Sequence, residues 1–67
     1  MQLSARNQLK AKITHIKNGP VSTELTLDLN GQTMVSTITT ESANTLGLKT
    51  GDNVTALVKA SSVMIMK

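Results

Sequence analysis

From Val21 to Leu29 apolar and polar side chains alternate without a break. Val21, Thr23, Leu25, Leu27 and Leu29 share one face, and Ser22, Glu24, Thr26 and Asp28 share the other. A period of two over this length predicts a half-buried β-strand. Asn30-Gly31 follows and predicts a tight hairpin. The return strand is expected from Gln32 to about Thr39, with Met34, Ser36 and Ile38 alternating against Val35 and Thr37. Upstream, Leu9, Ala11 and Ile13 alternate with Lys10, Lys12 and Thr14, and then the phase slips so that His15 falls on the apolar side and Ile16 on the polar one. The slip predicts a strand over Gln8–Lys17 with a bulge or strong bend near Thr14–His15. Asn18-Gly19-Pro20 reads as a turn, because Asn-Gly accepts positive φ and Pro20 cannot continue a ladder.

Thr40 to Leu46 breaks the period of two. Thr39 or Thr40 can cap a helix, Glu41 suits its positive end and Gly47 its left-handed stop, which predicts a helix of two turns or fewer. A loop from Leu48 to Asp52 leads to a strand over Asn53–Ala60, with Val54, Ala56 and Val58 inward. Ser61-Ser62 interrupts it, and Val63 to Met66 is expected as a last short strand. Three strands, a short helix and two strands is the element order of a mostly β, five-stranded barrel of the oligonucleotide-binding type. Residues 1–67 form one domain on this reading. Leu57, Met64 and Met66 fall on faces opposite the core and are expected to be subunit contacts.

Composition sharpens that expectation. A chain of 67 residues buries only about 60% of the surface its unfolded form exposes. There are no cysteines and one histidine, His15, which excludes disulfides, thiolate metal sites and a histidine-rich metal centre within one chain. Self-association is left as the source of extra stability. Phe, Tyr and Trp are absent, so the core is built from aliphatic residues and Met, and a base-stacking role in nucleic-acid binding is disfavoured. No secretion signal and no membrane-spanning apolar run occurs, so a cytoplasmic protein without a membrane partner is expected. The formal net charge is +3, and Arg6, Lys10, Lys12 and Lys17 crowd the first quarter of the chain. Such an asymmetry suits an anionic partner, or a solvated basic face.

The residues argue against catalysis. The four acids are scattered, and Glu24 and Asp28 stand about 13 Å apart along one strand, too far for a retaining carboxylate pair. Neither a nucleophile–base pair nor a glycine-rich phosphate loop is present. Three polar clusters remain: Ser4-Ala5-Arg6-Asn7 before the first strand, Thr39-Thr40-Glu41-Ser42 at the helix start, and Lys59-Ala60-Ser61-Ser62 at a strand break. Together they supply hydroxyls, cations and backbone amides, the donors an oxyanion needs. Each also has a plain structural reading, as a turn, a helix cap and a solvated lysine.

The head, Met-Gln-Leu-Ser4-Ala5-Arg6-Asn7-Gln8-Leu9-Lys10, resembles that of the molbindin, or Mop-domain, family. The tail Val58-Lys59-Ala60-Ser61-Ser62-Val63-Met64-Ile65 is similar to the family's closing signature, and Thr37–Ser42 with Leu46-Gly47-Leu48 matches its central motif. The resemblance implies a barrel whose subunits exchange strands into dimers, three of which form a homohexamer, with molybdate or tungstate held between subunits and no other cofactor. It implies that Ser4, Arg6 and the amide of Ala5 reach the anion from the head, and Thr39 and Ser42 from the helix start. Lys59, the amide of Ala60 and the hydroxyl of Ser61 would complete the shell from another subunit, while Asn7 fixes the loop. Two positions depart from the family pattern. Ala60 stands where Ser is frequent, and Pro20 removes an N–H from the first turn, on which a second class of site near the threefold axis draws.

Molybdate is a tetrahedral dianion, fully deprotonated near neutral pH. A shell made only of donors satisfies its oxygens and disfavours hydrogen phosphate, which needs an acceptor. Sulfate must be excluded by size, and tungstate is expected to bind comparably. With no further domain in the sequence, storage or buffering is the expected role. The rival is a small DNA-binding dimer of the swapped-hairpin type, suggested by the basic charge and the Leu46–Val54 stretch, which would bind DNA with steep salt dependence.

Overall fold

The computed structural model describes residues 5–67. They form β1 (Asn7–Lys17), β2 (Ser22–Leu29), β3 (Gln32–Thr39), the helix α1 (Thr40–Leu46) and β4 (Asn53–Val58), followed by a 3-10 turn over Ala60–Ser62. The four strands make one antiparallel sheet in the order β3-β2-β1-β4. β1 is long because it serves two partners. Its first half, Asn7 to Lys12, pairs with β4, and its second half, Lys12 to Lys17, pairs with β2.

The change of partner coincides with the predicted bulge. The ladder runs from Ile13 opposite Leu27 to His15 opposite Thr26, leaving Thr14 as the extra residue. Its hydroxyl donates to the Thr26 carbonyl at 3.2 Å. Before the bulge Ala11 and Ile13 point into the core; after it Ile16 takes the inward place and His15 and Lys17 are exposed. The backbone of Ile13 turns to the 51–52 loop, donating to the Asp52 carbonyl at 2.9 Å and accepting from Gly51 N–H at 2.7 Å. Ala11, Ile13, Leu25 and Leu27 form the buried cluster, with Ile16, Leu29, Met34, Ile38, Leu48, Val54 and Ala56 packed around it.

The two hairpin ends of β2 differ. Asn30 (φ 55°) and Gly31 (φ 99°) make the expected positive-φ turn, closed by the Gly31 N–H on Asp28 Oδ1 at 3.1 Å. The Asn18-Gly19-Pro20 turn does not use positive φ, contrary to expectation. Gly19 is required for another reason: a Cβ there would lie 2.5 Å from the Ser22 carbonyl oxygen. Val21, expected on the core face of β2, precedes the strand and is 74% exposed.

Two further expectations need correction. The described residues form an open sheet of four strands, with β3 and β4 as its edges, rather than a closed barrel of five. The last strand ends at Val58, not Ala60, and Val63–Met66 forms no strand. An extended segment becomes a strand only when an edge accepts its N–H and C=O groups. Past the 3-10 turn no strand among the described residues pairs with this tail, and Met64, Ile65 and Met66 are each at least 88% exposed. On the apolar side of the sheet a groove of about 160 Å³ is lined by the half-buried Ile38, Leu48, Val54 and Ala56 together with the buried Leu25 and Leu27. Among the described residues no helix is long and apolar enough to cross a membrane.

Gly19→Ala is expected to lower stability by about 1–3 kcal/mol, because its new methyl meets backbone rather than a yielding side chain. Urea titration against a Gln8→Ala control checks it; equal midpoints would show that the turn relaxes without cost.

Candidate functional site

The helix start is held by two adjacent threonines with separate tasks. Thr39 is the N-cap: its hydroxyl accepts from the Ser42 N–H at 3.1 Å and donates to Ser42 Oγ at 2.7 Å. A hydroxyl has one hydrogen, so Thr39 has spent its own on Ser42, and the Ser42 hydroxyl is the one left to donate outward. Thr40 faces the other way. Its N–H donates to the Val21 carbonyl at 2.8 Å and its hydroxyl to the Gly19 carbonyl at 2.6 Å. Thr23, fully buried, stands 2.9 Å from Thr40 Oγ1 and is therefore the donor of that pair. The relay from Thr23 through Thr40 to Gly19 fastens the first turn to the helix start. Sequence reasoning placed Thr23 on the core face and Thr40 as an alternative cap, and missed this pairing. The one signal for it was a threonine on an otherwise aliphatic strand face.

Thr39 and Ser42 line an open depression with Glu41, Thr45 and Leu46. Its lining holds hydroxyls and a carboxylate but no cation. A dianion there would meet Glu41 without a compensating charge.

The predicted cations lie at the opposite end of β1. Asn7 pairs with Val58 as the outermost pair of the β1–β4 ladder, and the Asn7 side-chain amide donates to the Val58 carbonyl at 3.2 Å. Asn7 thus clamps the head to the end of β4. The same register taken one step further sets Arg6 opposite Lys59. Both are exposed, as are Ala60 and Ser61, and Ala5 is half-buried. Lys59 opens the 3-10 turn with no side-chain cap. The turn's own bonds are donated by Ser62 N–H to the Lys59 carbonyl and by Val63 N–H to the Ala60 carbonyl, so the turn makes no use of the Ala60 and Ser61 amides. Ser4 lies outside the described residues.

The fold therefore gathers Ala5, Arg6, Lys59, Ala60 and Ser61 at one end and Thr39 with Ser42 at the other. Thr39 pairs with Ser22 beyond the Lys17 end of β1, and roughly 30 Å of strand separates that end from Asn7. One chain does not bring Arg6 and Lys59 to its Thr39 and Ser42 hydroxyls.

Residues 3–65 match the TOBE domain. The chain is 43% identical over 67 residues to molybdenum-pterin-binding protein 2 of Clostridium pasteurianum, covering 98% of both. A solved molybdate-binding protein from Sporomusa ovata superposes with a TM-score of 0.95 at 40% identity, with both chains covered in full. The chain belongs to the molbindin family of TOBE domains. A further relative, the molybdenum transport protein ModE of Herbaspirillum seropedicae, is 45% identical over 67 residues, and this molbindin chain spans a quarter of its length. The names of these relatives describe molybdenum-pterin binding, molybdate binding and molybdenum transport.

In this molbindin the Thr39 cap is separable from any ligand role. Thr39→Ala is expected to cost about 0.5–2 kcal/mol of stability, and Thr39→Asp to restore most of it, because either a hydroxyl or a carboxylate oxygen can accept the Ser42 N–H. Chemical denaturation without added anion reads the cap alone; an unaffected Thr39→Ala midpoint would mean that α1 holds by packing.

Proposed function

We propose that this chain binds molybdate, or tungstate, between subunits of a strand-exchanged homohexamer of three dimers, and stores or buffers the anion in the cytoplasm. The observation that carries the reading is the separation of donors within one chain. Arg6, Lys59, Ser61 and the amides of Ala5 and Ala60 stand at one end of the sheet, and the Thr39–Ser42 pair at the other. A second copy whose cationic end meets this chain's hydroxyl end completes a shell that neither copy holds alone. Ser4 joins the cationic half by its place in the head motif.

The unsatisfied surface supports the same assembly. The exposed tail Val63–Met66 and the groove along Ile38, Leu48, Val54 and Ala56 are complementary in character, one an exposed apolar segment and the other a half-buried apolar face. Exchange of the tail between copies would convert both into core. The division of labour at the anion is then chemical. Arg6 supplies a planar, multi-donor charge, Lys59 a point charge, and Ser42 and Ser61 single hydroxyls. Charge-assisted bonds of this kind contribute roughly 1.5–3 kcal/mol each. The two cations balance the dianion, and the carboxylate of Glu41 stands at the rim of the hydroxyl half.

Native mass spectrometry with and without molybdate tests the proposal directly. A hexamer that gains a fixed number of molybdate masses and takes up no sulfate is expected. A monomer or dimer without oxyanion uptake would overturn it and make DNA binding the next reading to assay. Within the hexamer, Arg6→Ala is expected to cost at least about 2 kcal/mol of binding while leaving the fold intact. Lys59→Met is expected to cost about 1.5–3 kcal/mol. Calorimetric titration reads both, and unchanged affinity in either variant removes that residue from the shell.

A further inference from the structure

We propose that the outward face of β1 guides oxyanions toward the Arg6–Lys59 end of the sheet by an uncompensated run of positive charge. The proposal rests on the oxyanion-binding reading above and extends it from the site to its approach.

The charges on this face are not distributed evenly. At the far end Lys17 stands opposite Glu24, and at the bulge side Lys12 stands opposite Asp28 on β2 and Asn53 on β4. Each of these lysines faces a carboxylate across the ladder. Lys10 does not: its register partner is Thr55, and the β1–β2 ladder starts only at Lys12. Gln8 faces Leu57, and Arg6 and Lys59 are the residues next beyond the Asn7–Val58 pair that ends the ladder. Along one strand face the cations thus pass from balanced to unbalanced as the proposed site is approached. Lys10 and Lys12 are exposed and line an open depression with Asn30, Asn53 and Thr55, whose side-chain amide and hydroxyl groups suit a hydrated anion. Asp28 borders it on the balanced side. Of the other nearby charges, Asp52 turns its carboxylate onto the Lys49 N–H at 2.9 Å within the loop.

Like-signed charge along a surface track raises the local concentration of a counter-ion, and salt removes the effect. Lys10 lies about 13 Å along the strand from Arg6, and Lys12 about 20 Å. In water, a unit charge at those distances alters the affinity for a dianion by roughly threefold and twofold respectively. Near 1 M salt the screening length falls to about 3 Å, and neither lysine is felt. A direct ligand such as Arg6 retains its contribution there.

Equilibrium dialysis with radiolabelled molybdate reads these differences in the full-length wild type, Lys10→Gln, Lys12→Gln and Arg6→Ala, each confirmed in its native oligomeric state. At low ionic strength Lys10→Gln is expected to bind about threefold more weakly than wild type and Lys12→Gln about twofold. Near 1 M salt both should coincide with wild type, while Arg6→Ala stays weak at either salt. Equal affinity of Lys10→Gln and wild type at low salt would overturn the guiding role. So would a Lys10→Gln deficit that persists at high salt, which would make Lys10 a contact residue. A wild type that takes up no molybdate at either salt would overturn the function itself, and the guide with it.

Discussion

The sheet depends on what happens at Ile13. Its side chain is wholly buried in the cluster with Ala11, Leu25 and Leu27, and its backbone N–H and carbonyl are both taken by the 51–52 segment. The extra residue that follows, Thr14, shifts the phase of β1, so that one strand presents Ala11 beside β4 and both Ile13 and Ile16 beside β2 to the same core. A strand without the bulge would bury His15 and expose Ile16. It would also run straight, and a bulged strand bends and twists more strongly than a regular one. Through this one residue β1 belongs to both halves of the sheet, and its two ends are sent to different surroundings.

Those two ends carry different chemistry, which is why the sheet's geometry matters for ligand binding. The Asn7 clamp ties Arg6 to the strand end that leads into Lys59, while the Thr23–Thr40–Gly19 relay ties the first turn to the start of α1. Neither tie involves the groups proposed to touch an anion. Each instead fixes the backbone from which those groups project, and of the hydroxyl pair Thr39 spends its hydrogen on the cap while Ser42 keeps its own.

Local features were legible in the sequence wherever a single strand or turn settles them. The alternation in Val21–Leu29, the slip at Thr14–His15, the Asn30-Gly31 hairpin and the Thr39-to-Gly47 helix all reflect interactions within a few residues, and the structure has them nearly residue for residue. Features set by distant partners were less legible. Gly19 looked like a positive-φ turn residue, yet the Ser22 carbonyl is what excludes a side chain there. Val63–Met66 has a strand's composition, but composition does not supply an edge to pair with. The clusters of the candidate site were each visible as motifs. Their distribution between opposite ends of β1 was not, because it follows from the β1–β4 register and from β3 pairing at the other edge.

That distribution links two equilibria. A chain with so small a buried cluster leaves its apolar groove and tail in water, and covering them with another copy is favourable by roughly 25 cal/mol for each Å² removed. The same meeting of copies would bring Arg6 and Lys59 of one, two like charges already gathered at one end of their own chain, to the hydroxyls of another. On the proposed reading a dianion would relieve their repulsion and be bound only by the assembled form, so occupancy and assembly would stabilise each other by the same free energy. In such an arrangement the anion is part of what holds the subunits together, and the uncovered apolar surface is what makes the empty site form at all.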